Sequence, residues 1–323
     1  MNATGSPAPE VAGGGRGNGS HSADPEQGRF EDAYTDFVLL VVDVVSLLGL
    51  LGNGAVVWLL GFRVQRTPFS VYILNLACAD FLFLLGSFSG GIIRVMARSS
   101  EKVGHLVYSV QLSSFLVGLC LLMAVSSERC VSVLCPLWYR CRRPAHLSSL
   151  VCGLTWALGA GSLVACLLCW ISATFPCDPM FVAWGVTSVL TCLVLCASSL
   201  TLLLRVRCGS GRRRPGRLYL TIALSVLAFL LLGLPYGMWV IADGLLKVCS
   251  HSPALWLTLY LLQVLNSVAN PLIYFFVGRR GQLRGRRPLR EVLHRALAGE
   301  EEEEGGGGQG GGPRPPEPSW RQS

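Results

Sequence analysis

Ala269-Asn270-Pro271-Leu272-Ile273-Tyr274 closes the last of seven apolar stretches in this 323-residue chain. A helix needs about 20 predominantly apolar residues to cross a hydrocarbon layer roughly 30 Å thick, and the run ending here is long enough. Pro271 deletes a backbone donor deep inside that run, and lipid offers no replacement. Asn270 sets an amide beside the gap. The pairing is tolerable only where neighbouring helices satisfy it, so the stretch reads as a hinge or polar switch at the inner end of a seventh membrane helix.

Working outward, composition agrees. The chain is 51% hydrophobic and 14% charged, with a mean hydropathy of +0.50, whereas about 25% of a soluble domain is charged. The expected fold is an all-α membrane protein, a seven-transmembrane helix bundle with a short amphipathic eighth helix. The spans are expected at 36–62, 69–97, 105–138, 147–170, 179–206, 217–244 and 254–277. A disordered outer tail is expected over 1–35, the bundle over 36–277, an amphipathic membrane-surface helix over 278–298 and a disordered inner tail over 299–323. In 278–298, Leu283, Leu289, Val292 and Leu293 fall to one side and Arg284, Arg286, Arg287 and Arg290 to the other, the pattern of a helix lying in the lipid interface. The Glu- and Gly-rich end cannot bury enough apolar area to offset its ordering entropy.

Arginine sets the orientation. Arg63 and Arg66, then Arg140, Arg142 and Arg143, then Arg207 and Arg212 to Arg214, then Arg279 and Arg280 follow alternate spans and share one side. The positive-inside rule makes that side cytoplasmic. Acidic residues collect in the N-terminal tail, where Asn2 and Asn18 begin N-x-S/T acceptors for glycans outside the cell. Residues 1–29 show no apolar leader, so the first span is expected to target the chain to the plasma membrane as a multi-pass protein. The net charge of +8 is thus directed at anionic inner-leaflet lipids, and nucleic acid is excluded as a partner because no soluble domain carries these arginines. Most of the 13 cysteines, among them Cys78, Cys120, Cys130, Cys152, Cys192 and Cys196, lie in apolar runs and behave as small hydrophobes.

Polar groups at membrane depth are functional by default. Asn53 in the first span, Asp80 in the second, and Asn266 and Asn270 in the seventh are placed to form one hydrogen-bonded core. Water or a sodium ion would neutralise the carboxylate; Gly118, facing this region, supplies no side-chain oxygen and argues against a well-coordinated sodium. The other reading is that these groups only join helices. Glu128-Arg129-Cys130 ends the third span, adjacent opposite charges that pair in one state and separate in another, or else a snorkelling interfacial arginine.

These landmarks resemble a class A, rhodopsin-like G-protein-coupled receptor: Asn53, Asp80, Glu128-Arg129-Cys130, Pro235 and Asn-Pro-x-x-Tyr over 270–274. Finer stretches are similar to the Mas-related receptors, closest to their X-type branch: Trp58-Leu59-Leu60-Gly61-Phe62, Tyr72-Ile73-Leu74-Asn75-Leu76-Ala77, Ser127-Glu128-Arg129-Cys130, Phe181-Val182-Ala183-Trp184 and Gly233-Leu234-Pro235-Tyr236-Gly237. The resemblance implies an activation switch through Asn53, Asp80, Glu128, Arg129, Gly233, Pro235, Asn266, Asn270, Pro271 and Tyr274. Gly233 stands where class A receptors usually carry a tryptophan, which implies a shallow, open pocket. The usual third-helix cysteine is missing near Gly104. Mas-related receptors use a staple between helices four and five instead, for which Cys169 and Cys177 are the candidates.

For the ligand, the outer ends offer Arg94, Arg98, Tyr108, Gln111, Trp170, Asp178, Trp184, Tyr236, Trp239, Asp243 and Tyr260. Aromatic walls with a few charges suit a small amphipathic ligand or a peptide, although an interfacial aromatic belt has the same composition. In resembling receptors that answer cations, two acids read the charge. Asp178 matches one, and Ala165 and Cys166 occupy the stretch of the other. Arg94 and Arg98 are placed like arginines that read acidic ligands. The implied partners are an outer ligand, membrane lipids and a heterotrimeric G protein, with no enzymatic activity and no cofactor. A retinal protein is disfavoured because Lys102 and Lys247, the two lysines of the chain, lie at outer ends. Neither the repeats of a transporter nor a metal-ligand pair of a hydrolase is visible. A decoy receptor of the same fold is the alternative, since Cys130 replaces the usual aromatic after Arg129.

Overall fold

A computed structural model describes residues 25–63, 67–96, 101–172, 178–208, 217–243 and 253–279. Among them run α1 (Pro25–Phe62), α2 (Pro68–Met96), α3 (Glu101–Leu134), α4 (Pro136–Cys141), α5 (Leu147–Ile171), α6 (Asp178–Cys208), α7 (Arg217–Ala228), a π-helical turn (Phe229–Gly233), α8 (Leu234–Ile241) and α9 (Pro253–Arg279). α7, the π turn and α8 are continuous and together make the sixth of seven helices long and apolar enough to cross a membrane. α3 is the central rod, packed on α2, α5 and α6; α1 closes the other side against α2 and α9.

Unlike helices of a soluble bundle, α1 and α5 also present large apolar side chains outward. In α1 the buried stripe Val38, Val42, Ser46, Gly49, Asn53, Val56 and Leu60 recurs every three to four residues, while Phe37, Leu40, Leu47, Leu48 and Leu51 are exposed on the lipid side. α5 buries Ser148, Cys152, Thr155, Gly159, Ser162 and Cys166 and exposes Leu150, Leu154 and Leu158. Small inward residues let backbones approach where hydrophobic burial supplies no drive between helices. Gly159 shows how close: a Cβ there would lie 2.4 Å from Val117 Cγ2 of α3.

The boundaries differ from expectation at two places. α1 starts at Pro25, inside the stretch expected to be an irregular tail, and Tyr34 in this extension meets Thr258 Oγ1 of α9 at 2.9 Å. A hydroxyl pair of this kind ties the added turns down. The third span ends at Leu134 rather than running to 138, because Pro136 cannot continue a helix but fits the first turn of a new one, here the short α4. The expected eighth helix over 278–298, both tails, Asn2, Asn18, Arg98 and Cys177 lie outside the described residues.

Candidate functional site

Proline chemistry builds the polar core. Pro271 has no N–H to offer the carbonyl one turn earlier, that of Ser267. Asn53 Nδ2 of α1 donates to this carbonyl at 3.0 Å and to Gly49 O at 3.0 Å. The gap in α9 is therefore filled by the amide of α1, not by that of Asn270 beside it. Asn270 Nδ2 instead donates to Asp80 Oδ2 of α2 at 2.9 Å, so two amides tie α9 to two neighbours at one level. Tyr274, one turn on, is fully buried among the inner core.

Next to Asp80 lies a small cavity, about 20 Å³, lined among others by Ser114, Gly118, Asn266, Ser267 and Asn270. That is room for one water. The carboxylate, the Ser114 hydroxyl and the amides are polar partners enough for it, whereas the Gly118 wall contributes no oxygen. The donor set suits a bridging water better than a fully coordinated sodium.

Pro235 breaks the ladder of the sixth span, and the chain absorbs the break as a π turn: Leu234 N–H reaches Phe229 O, one residue further back than in an α-helix. This rotates Gly233 inward. A Cβ on Gly233 would lie 2.9 Å from Phe229 Cδ2 and 3.0 Å from Asn266 Nδ2, so Asn266 of α9 occupies the space beside the missing side chain.

At the inner end the adjacent charges do not pair with each other. Glu128 is held by Arg143 Nη2 at 2.6 Å and receives the Tyr139 hydroxyl hydrogen bond at 2.9 Å. Tyr139 belongs to α4 and Arg143 follows it; Arg143 also donates to Ser148 Oγ of α5. Burial, and then the neighbouring Glu128 charge, push the Tyr139 hydroxyl above its ordinary value, so it remains a donor. Arg129 turns the other way, its guanidinium 3.9 Å over the Phe69 ring of α2, with Nε buried and lacking a hydrogen-bond partner. Arg143 was legible in the sequence only as a topology signal. Its role as the partner of Glu128, and that of Phe69 as the rest of Arg129, are tertiary facts with no local signature.

Toward the outer end, the residues expected to contact ligand divide in two. Gln111 Nε2 donates to Ser87 Oγ at 3.0 Å and to Tyr260 OH at 2.7 Å. Tyr236 packs edge-on to Phe115 and tilted to Tyr260, and Trp256 stacks on Tyr260 with centroids 5.4 Å apart. Gln111, Tyr236 and Tyr260 are buried and form a closed floor. Trp184 is buried too, its indole donating to Ser162 Oγ of α5 at 3.1 Å, a strut between helices. Arg94, Trp170, Asp178 and Asp243 remain exposed, and Tyr108 and Trp239 half-buried. Trp170 carries His105 stacked at 3.9 Å and Tyr108 at its edge. Cys169 is disulfide-bonded.

Arg94 has a partner that the sequence reading passed over: Asp43 Oδ2 of α1, at 3.8 Å. The carboxylate lies against Gly91, where a Cβ would sit 2.1 Å from Oδ1. A lone acid inside an apolar run was the available signal.

A model of the 7 transmembrane receptor (rhodopsin family) matches residues 52–274. The chain is 45% identical over 269 residues to Mas-related G-protein coupled receptor member X1 of Homo sapiens, covering 79% of this chain and 81% of the relative. Member X2 of Homo sapiens is 44% identical over 275 residues, covering 78% and 80%. Member A6 of Mus musculus is 41% identical over 271 residues, covering 80% and 89%.

Proposed function

The chain belongs to the Mas-related G-protein coupled receptors of the rhodopsin family, and from that premise we propose that it binds a small amphipathic or peptide ligand at its extracellular face and activates heterotrimeric G proteins. The receptor performs no chemistry of its own. A ligand shifts a pre-existing equilibrium between two packings by its differential affinity for them.

One observation carries this reading. Glu128 is held by Tyr139 and Arg143, while Arg129 rests on an aromatic ring with Nε unsatisfied. An unsatisfied buried donor costs roughly 1–3 kcal/mol, so Arg129 gains when the inner end opens and a partner accepts its hydrogen bonds. The π turn and Pro235 give the sixth span a place to bend. Opening there exposes Arg129, Tyr274 and the basic connections to a G protein.

At the outer mouth, Asp178 reads cationic ligands and Arg94 with Arg98 reads anionic or zwitterionic ones. Cys169 and Cys177 form the staple beside them. The N-terminus faces out, with glycans on Asn2 and Asn18, and the C-terminus faces the cytoplasm. Family membership favours a sensory role in itch or pain. Arrestin recruitment is weak, because Ser319 and Ser323 are the only hydroxyl residues after Gly278 and offer few phosphate sites.

The deciding experiment is G-protein dissociation in cells expressing the receptor, screened with cationic peptides, bile-type acids and small amino acids. Ligand-dependent dissociation is the expected result. Ligand binding without dissociation in any G-protein subtype favours the decoy reading, which Cys130 in place of the usual aromatic supports.

A further inference from the structure

We propose that Cys135 and Cys141 are S-acylated by long-chain fatty acids, which pin α4 to the inner leaflet. Both thiols are free and exposed. They bracket α4, whose Leu137 is 80% and Trp138 42% exposed. The apolar, membrane-crossing part of α3 ends at Ser132 and the next begins at Leu147, so this short helix lies at the membrane boundary, where tryptophan is enriched. Six residues with two apolar side chains make a weak anchor, and stable attachment takes more than one signal. Juxtamembrane thiols are where reversible S-acyl groups are added.

The other free thiols with described side chains are poorly placed. Cys78, Cys120, Cys130, Cys152, Cys166 and Cys192 are buried or half-buried inside spans, and Cys196, though exposed, lies within the membrane-crossing part of α6. No cysteine follows Cys249, so the basic segment after the seventh span has no thiol to modify. The inner side is reducing, which keeps Cys135 and Cys141 available rather than joined.

The reaction balances with long-chain acyl-CoA as donor. The cysteine sulfur attacks the acyl carbonyl, a new S–acyl bond forms, the bond from the acyl carbon to the CoA sulfur breaks, and CoA leaves as the thiol with the cysteine proton. No oxidant or reductant is needed. The consequence lies in the neighbours: Tyr139 sits in α4 and Arg143 just after it, and these two hold Glu128. Acyl anchors on both ends of α4 therefore restrain the partners of that carboxylate.

The inference rests on the proposed orientation with α4 inside. The test uses the full-length receptor from mammalian cells: free thiols are blocked, thioesters are cleaved with hydroxylamine, and the released thiols take a polyethylene-glycol maleimide. Two hydroxylamine-dependent mass steps are expected; C135S and C141S each remove one, and C135S/C141S removes both. Absence of any step in the unsubstituted receptor, or persistence of both in the double variant, overturns the proposal. Mass spectrometry of the tryptic peptide Cys130–Arg140 from the unsubstituted receptor reads the Cys135 adduct without any variant; an unmodified peptide overturns it equally. A membrane-impermeant maleimide on intact cells separates the two ways of failing: labelling of Cys135 or Cys141 from outside refutes the orientation, and protection without thioester refutes the acylation alone.

Discussion

The two ends of this bundle each carry an ion pair, and they are built differently. At the inner end Arg143 and Glu128 meet at 2.6 Å with side chains 6% and 12% exposed, reinforced by Tyr139. At the outer end Arg94 and Asp43 stand 3.8 Å apart with side chains 47% and 26% exposed. A buried, doubly supported pair is costly to break; a long, wet pair is worth at most about 1 kcal/mol. The inner pair holds a conformation. The outer one leaves Arg94 half exposed, as the proposed ligand-reading role requires.

The contrast is broken first at Arg143. Arg143→Ala strands the Glu128 charge and is expected to destabilise by about 3 kcal/mol, with raised agonist-independent G-protein dissociation. Thermal unfolding of the solubilised receptor and a basal dissociation assay check both parts; a cost as small as that of the outer pair would erase the distinction. Gly233→Ala comes next. The new Cβ meets Phe229 and Asn266 at 2.9 and 3.0 Å, an overpacking cost of about 1–3 kcal/mol, visible as a lower unfolding temperature and relieved by a second change of Asn266→Ala.

Asn53→Ala removes the donor that serves the orphaned Ser267 carbonyl and should cost about 1–2 kcal/mol. Measuring it together with Pro271→Ala, which restores a donor to α9, sharpens the comparison: the second change should recover part of the first loss. The smallest stability effect is expected of Arg94→Ala, within about 1 kcal/mol, while its response to anionic agonists weakens by about tenfold, or about 1.4 kcal/mol. Asp178→Ala should weaken cationic agonists instead. Concentration-response curves with both ligand classes, unmoved in both variants, would remove these residues from the site.

Much of the architecture was readable along the chain. Seven apolar runs specify a bundle without any contact being known, and the side-alternation of arginine carries the orientation proposed above. Asn53, Asp80 and Asn270 stood out because polar groups in lipid need partners. What the chain did not disclose was which partner each one takes. The Pro271 gap and the Asn270 amide beside it called for neighbouring helices, and the structure names them: α1 brings Asn53 to the Ser267 carbonyl and Asn270 turns to Asp80 of α2. Glu128 and Arg129 looked like a pair because they are adjacent, yet adjacent residues on a helix point in different directions, and each finds its contact elsewhere.

Local composition alone settled that this chain has membrane-length helices, and where they start and stop to within a few residues at every end but the start of α1, because the thickness of a bilayer and the stiffness of proline act on each segment separately. Tertiary structure decided the pairing of Glu128 with Arg143, of Asn53 with the Ser267 carbonyl and of Arg94 with Asp43. Those contacts depend on rotation and distance between helices far apart in sequence, and a linear pattern holds neither quantity.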